Sequence, residues 1–338
     1  MCSRLAFALL FSVVLSAASP AQQITGDVMV QGASLNDGYM GFTTCGADGQ
    51  VYRRPGSGAA SSVMRVSPDG SSLVFTLPEH TYPGVIAPVG TGVNILSAVY
   101  ATRERRVHFQ MYHFDGQASL LEQDQGTLPL YPHAMAVLAS GRTIMTGSHL
   151  DDPEHPEDRK YGFAILDEND KLVKSVYLPL PPGGGGWTFA SGEHMAVGDG
   201  VAYVVLHSNE PPQTAIAMLS EEGYIDITVV AVPPDSDAHY HNEWLFGPRV
   251  AVEAYHYLVR VGQRQRAFDG FDEYDLKTGE KVATKGSFPQ GFAFGCYSGN
   301  EVSFLAHSAH VDPARRLPPD TLRLVTVKLQ QAMPKSSP

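Results

Sequence analysis

Between Met40 and Leu329, short runs rich in Val, Ile, Tyr, Phe and Thr alternate with turn signals such as Asp48-Gly49, Asp115-Gly116, Asp199-Gly200 and Glu222-Gly223. Runs of that length, bounded by residues that tolerate φ > 0, read as β-strands joined by tight hairpins. Almost nothing in this stretch has helical periodicity. Grouped by their turns, the strands repeat in units of about 50 residues, each holding four strands: two joined by a tight turn, a variable loop, then two joined by a hairpin. A four-stranded sheet cannot bury both faces by itself, so successive units must pack on one another.

The units run from Met40 to Leu77, Val85 to Gln123, His133 to Leu180, Gly192 to Val232, Trp244 to Phe288 and Gly291 to Leu329. The last is one strand short, because its third strand, Thr321 to Leu329, leads into Gln, Lys, Ser and Pro. A β-like segment without a unit of its own, Ile24 to Gln31, precedes the first. It can supply the missing outer strand of the last sheet and so cover an edge that would otherwise stay unpaired. A second mark of circularity is independent of the first. Cys45 lies four residues before the turn residue Gly49, and Cys296 four before Asn300, the corresponding position of the last unit. Both cysteines then fall on innermost strands of units that become neighbours when the chain closes on itself. A bridge across so long a loop is worth about 5 kcal/mol in the chain-entropy picture. Two unbridged buried cysteines are the alternative.

This pattern resembles the six-bladed β-propellers of the NHL, TolB-like and related families, and Ser67-Pro68-Asp69-Gly70 followed by Leu73-Val74-Phe75 is similar to a TolB-type repeat motif. The resemblance is one of architecture and carries no functional residue. It implies an all-β chain: a six-bladed propeller of four-stranded antiparallel blades, its ring closed by the N-terminal strand completing the last blade. Seven blades result if one unit has been merged with its neighbour.

The first 21 residues have a single charge, Arg4, an apolar stretch from Leu5 to Ala18, and small residues at Ser19 and Ala21 before Gln22, which is the pattern of a cleavable secretory signal. Residues 22–331 are then one propeller domain and 332–338 a disordered tail. The expected location is secreted or periplasmic. No later segment reaches the roughly 20 apolar residues of a spanning helix. Cys2 leaves with the signal, and two cysteines in an exported chain favour a disulfide. A formal charge of -11 argues against a nucleic-acid partner.

In such a ring the loops from fourth strand to next first strand, and from second to third, share the face where ligands meet the central channel. The segments leading into first strands each hold an aromatic: Tyr82-Pro83-Gly84, Tyr131-Pro132-His133, Gly186-Trp187-Thr188, Tyr240-His241-Asn242 and Phe288-Pro289-Gln290. Two readings stand side by side. The rings either line a funnel that stacks on a flat or sugar-like ligand, or plug the wedges between blades. The candidate ligand-binding residues are Tyr131, His133, Trp187, His194, His241, Asn242, Trp244 and Gln290, with a small molecule, glycan or peptide, or another envelope protein, as partner.

Histidines form a second group. His149, His207 and His307 fall near the ends of second strands, and imidazoles around an axis can bind a divalent metal ion. No H-E-x-x-H type spacing is present, so loop backbone can equally satisfy them. Asp237, His239 and His241 share one side of a strand and make a local chelate. An enzyme of this build is a metal-dependent hydrolase, lactonase or lyase, with the ion held by some of His133, His194, His241, Glu193 and Glu243. The acidic loop Asp151 to Asp158 lacks the spaced ligands of a calcium loop, and Gly183 to Gly186 lacks the Lys of a phosphate loop. No G-x-S-x-G elbow occurs, and the catalytic residues stay unassigned.

Overall fold

The computed structural model describes residues 23–30, 43–46, 49–53, 61–101, 103–149, 160–179, 181, 186–189, 195–198, 200–209, 212–230, 239–246, 249–260, 263–275, 277–285, 296–298, 301–307 and 322–328. Every regular element among them is a strand. The chain opens with β1 (Gln23–Met29). β2 (Thr43–Cys45), β3 (Val51–Arg53), β4 (Ser62–Val66) and β5 (Ser72–Thr76) form the first sheet, and β6 (Val85–Val89), β7 (Gly92–Ala101), β8 (Arg106–Phe114) and β9 (Leu120–Leu128) the second. The third is built from β10 (Leu130–Val137), β11 (Thr143–His149), β12 (Lys160–Leu166) and β13 (Leu172–Tyr177). β14 (Thr188–Phe189), β15 (Ala196–Gly198), β16 (Val201–Asn209), β17 (Pro212–Ser220) and β18 (Ile225–Val230) make the fourth. β19 (His239–Phe246), β20 (Arg249–Arg260), β21 (Gln263–Asp275) and β22 (Lys281–Lys285) follow, then β23 (Cys296–Ser298), β24 (Glu301–His307) and β25 (Leu322–Lys328).

The sheets are antiparallel and sit as blades of a propeller, and strands pair with their sequence neighbours except for β1, which pairs with β25, and β14, which pairs with β16. Five are four-stranded; the fourth departs from the expected uniform blade because two short strands, β14 and β15, both pair with β16. The residues between these two, 190–194, lie outside the described ones. The last sheet has the order β1-β25-β24-β23, with Ile24 opposite Val327 and Met29 opposite Arg323. Arg323 Nε holds Asp27 Oδ1 at 2.5 Å, tying the two strands by a charged pair.

Turn chemistry explains the hairpins. In the outer hairpin of the second and third sheets an aspartate opens the turn and its carboxylate accepts two backbone N–H groups, those of Gln117 and Ser119 on Asp115 and those of Asn169 and Lys171 on Asp167. Asp275 does the same for Lys277 and Thr278. Each such turn needs one residue in the left-handed region. Gly70, Gly223 and Gly279 fill that place at φ +83, +88 and +67, whereas Ala118 and Asp170 do so without being glycine.

Core residues lie between sheets. Tyr52, Phe75, Ile95 and Tyr112 pack the first sheet on the second. Leu96, Phe109, Met111, Leu130 and Met145 pack the second on the third, and Ile144, Phe163, Leu206 and Ala215 the third on the fourth. Tyr203, Ile216 and Tyr274 continue the series. One further cluster joins the two ends of the chain: Val51 and Val66 of the first sheet meet Cys296, Leu305 and Leu324 of the last. Within it Cys45 and Cys296 form a disulfide across 251 residues, their Cα atoms 5.2 Å apart.

Neighbouring sheets are also clasped at the hairpin face. Arg65 donates to Gly116 O in the second sheet's outer turn, Lys174 to Glu222 O in the fourth's, and Thr228 to Lys277 O in the next. The second and third sheets use a different pair, His113 and Asp170.

Candidate functional site

The beginnings of β10 and β12 and the ends of β11 and β13 lie at one end of the third sheet, opposite its hairpin turns, because antiparallel pairing sets Tyr131 against Ser148 and Ser148 against Tyr161. This is the end where connections run between sheets. His133 faces the fourth sheet there. Its Nε2 is 3.1 Å from Ser148 Oγ, and its ring centre lies 6.4 Å from those of both Tyr161 and Phe189. Tyr161 and Phe189 meet edge to face at 5.4 Å, and Tyr131 presents an edge to His133 at 6.0 Å. These separations fall within the favourable range for aromatic pairs. Tyr131 remains 40% exposed, and Tyr82, ahead of β6 at the same end of the second sheet, is 51% exposed.

On the other side of the third sheet His149 is buried and its ring lies 4.1 Å from that of Tyr177, which is 48% exposed. Gly162 makes this possible, since a Cβ there would come within 2.7 Å of His149 Nε2. Lys160 Nζ stands 5.8 Å from the centre of the Tyr177 ring, within cation–π range. The end of the sheet therefore offers accessible rings, a hydroxyl-bonded imidazole and one ammonium group. That combination can stack on a planar or sugar-like surface and orient it by polar contacts.

The other sequence candidates take different positions. Trp187 is 4% exposed, set among Leu138, Phe163, Ala202 and Leu206 between the third and fourth sheets, as a wedge-filling ring would be. His241, Asn242, Glu243 and Trp244 lie on β19, opposite Ala254, Glu253, Val252 and Ala251 of β20. His239 begins the same strand. His194, Glu193, Gln290 and Asp237, and with them the acidic loop and most of the glycine run, fall outside the described residues. His149 and His307 end β11 and β24, and His207 is two residues from the end of β16. Sequence reasoning missed Tyr161, Tyr177 and Phe189. For Tyr161 a signal was present: it shares the two-residue period of Phe163 and Ile165, which the core accounts for.

A separate polar cluster sits at the hairpin end, between the second and third sheets. His113 Nε2 is 2.7 Å from Asp170 Oδ2 and 3.7 Å from Asp124 Oδ2. The hydrogen bond to Asp170 holds the His113 pKa above its ordinary value against the opposing effect of burial, and the charges of Asp170, Asp124 and Glu122 add to it. Among the described residues His113, Asp124 and Asp170 are the set of His, Cys, Asp and Glu donors that comes within 4.8 Å of one another. Ligands bonded to one zinc at about 2.0–2.2 Å stand roughly 3 Å or more from each other. A separation of 2.7 Å between nitrogen and oxygen instead fits a shared proton.

No known family matches the chain, and no curated protein does. Among solved structures, a mutant of the Synechocystis apocarotenoid oxygenase is similar with a TM-score of 0.44 at 11% identity, over 78% of this chain and 64% of that one. The cobalt-substituted Synechocystis ACO gives 0.44 at 12% identity, over 86% of this chain and 74% of that one. The chain thus spans less than two thirds of the first of these, 64% of its length.

Proposed function

We propose that this protein is a secreted or periplasmic propeller of six blades that binds a small molecule, glycan or peptide at the face opposite its hairpin turns. The observation that carries the reading is the set of accessible rings at that end of the second and third sheets, Tyr82, Tyr131 and Tyr177, with Tyr131 against the His133–Ser148 pair. Exposed aromatic area next to fixed polar groups is the composition of a recognition surface. The pairing of β1 with β25 and the Cys45–Cys296 bond support the six-blade reading, since both bring the beginning of the chain to its last sheet. The disulfide points to an oxidising compartment. Among the described residues no helix is long and apolar enough to cross a membrane.

The test is a thermal-shift screen of the purified mature protein with neutral and acidic oligosaccharides and short peptides. A ligand that binds the folded state raises Tm. The reading requires that Tyr131→Ala abolish that rise while leaving the unliganded Tm within a degree or two of wild type. The metal-dependent alternative is separated in the same preparation by metal analysis. Stoichiometric metal lost in both His133→Ala and His241→Ala would replace the binding module with an enzyme of the hydrolase, lactonase or lyase kind.

A further inference from the structure

The clasps between successive sheets differ in one chemical respect. Arg65, Lys174 and Thr228 donate from a guanidinium, an ammonium and a hydroxyl. At the junction of the second and third sheets the donor is an imidazole, the side-chain type whose charge change falls near neutral pH. Its partner is placed at a cost. Like Ala118 in the second sheet's turn, Asp170 occupies the left-handed position, at φ +55, where Gly70, Gly223 and Gly279 stand in the other turns, and its side chain is 5% exposed. A non-glycine residue there is held against an unfavourable backbone term.

We propose that His113 and Asp170 form a proton-operated latch between the second and third sheets, tight in acid and slackened as the pH rises past neutrality. Every charged group that acts on His113 is a carboxylate: Asp170 from the β12–β13 turn, and Asp124 and Glu122 from β9. On β7 the residue opposite His113 is the neutral Asn94. Protonated His113 is therefore the cation of a four-member cluster. When it loses its proton the imidazole still donates one hydrogen bond, but the buried Asp170 carboxylate and the two on β9 then lose the positive charge of His113.

The sign follows from the direction of the shift. The folded-state pKa lies above the unfolded value near 6.5, so the stabilisation is complete below about pH 6.5 and is lost as the pH climbs through the folded value. The latch also bears on the proposed binding face. β10, whose first residues include Tyr131 and His133, packs through Leu130 and Met135 on Leu96 and Met111 of the second sheet. Slackening at the hairpin end loosens the same junction.

The experiment compares wild type with His113→Gln in the full mature chain, in EDTA-containing buffer, from pH 5.5 to 9. Wild type should melt about 2–4 °C higher than the variant at pH 5.5, the shift expected for losing one charge-assisted bond in a domain of this size, and the gap should close by pH 9. A gap of constant size overturns the latch. Proton NMR of wild type, with the His113 signal assigned by its loss in the variant, gives a check that does not depend on the variant's folding: a titration midpoint at or below 6.5 overturns the proposal. So does zinc, in buffer without EDTA, if it raises the Tm of wild type and not of His113→Gln, because an ion rather than a proton would then occupy the cluster.

Discussion

Gly70 lies so close to the carbonyl oxygen of Met29 that a Cβ on it would stand 2.7 Å away. The contact joins the outer turn of the first sheet to β1, the outermost strand of the last, and so it belongs to the seam where the two ends of the chain meet. Gly70 is also at φ +83, which a side chain tolerates poorly. Gly70→Ala should lower stability by more than the ~1–2 kcal/mol of the backbone term alone. Gly90 is the control, with φ +56 and no atom within 4 Å of the added Cβ. Chemical denaturation of both variants should show Gly70→Ala as the more damaging. Equal losses would mean that the seam gives way to accommodate the methyl group.

The disulfide closes the same seam. Replacing Cys45 and Cys296 together by Ser should cost up to about 5 kcal/mol, because the denatured chain regains the freedom of a loop of 251 residues. The comparison is the denaturant midpoint of oxidised wild type with that of the double variant, with mass spectrometry under non-reducing conditions confirming the bond. An unchanged midpoint would show that the loop closure contributes nothing.

Two of the aromatic residues that precede first strands should behave in opposite ways. Trp187→Ala removes a buried ring from between the third and fourth sheets and should cost about 3–5 kcal/mol. Tyr131→Ala truncates a half-exposed ring and should cost less than about 0.5 kcal/mol while weakening binding at that face. Urea titration of the two variants distinguishes a packing residue from a surface one.

Acid should loosen the hairpins. The Asp167 carboxyl is held below the ordinary 3.8 first by the backbone N–H of Lys171 and then by that of Asn169, and Asp69 first by the Ser71 hydroxyl and then by the Ser71 N–H. A depressed folded-state pKa contributes stability above the unfolded value, and that contribution is lost as the pH falls through the folded one. Tm should therefore decline below about pH 4. The decline should be shallower in Asp167→Asn, whose amide oxygen keeps an acceptor without titrating.

Asp170 permits strain and charge to be told apart. Asp170→Gly relieves the left-handed backbone but removes the carboxylate, whereas Asp170→Asn keeps a side chain that tolerates that conformation and loses only the charge. At pH 5.5 both should be less stable than wild type, with Asp170→Gly the closer to it. At pH 9 Asp170→Gly should equal or exceed wild type. Calorimetric scans at the two pH values check this ordering.

Much of the architecture is legible along the chain because its causes are local. A strand alternates with period two, and Asp115, Asp167 and Gly70 sit in turns whose hydrogen bonds span four or five residues, so pattern and turn residue together mark each hairpin. Matching positions in the repeat pointed to the Cys45–Cys296 pair, and an unplaced β-like segment pointed to β1. What side chains do between sheets is not local. The imidazole of His113 and the carboxylate of Asp170 are 57 residues apart with no motif linking them, and nothing in the two similar contexts of Tyr131 and Trp187 says that one ring stays half in water while the other is enclosed. Those outcomes depend on how far one sheet overlaps the next, a distance set by the packed faces together, and only the folded molecule decides it.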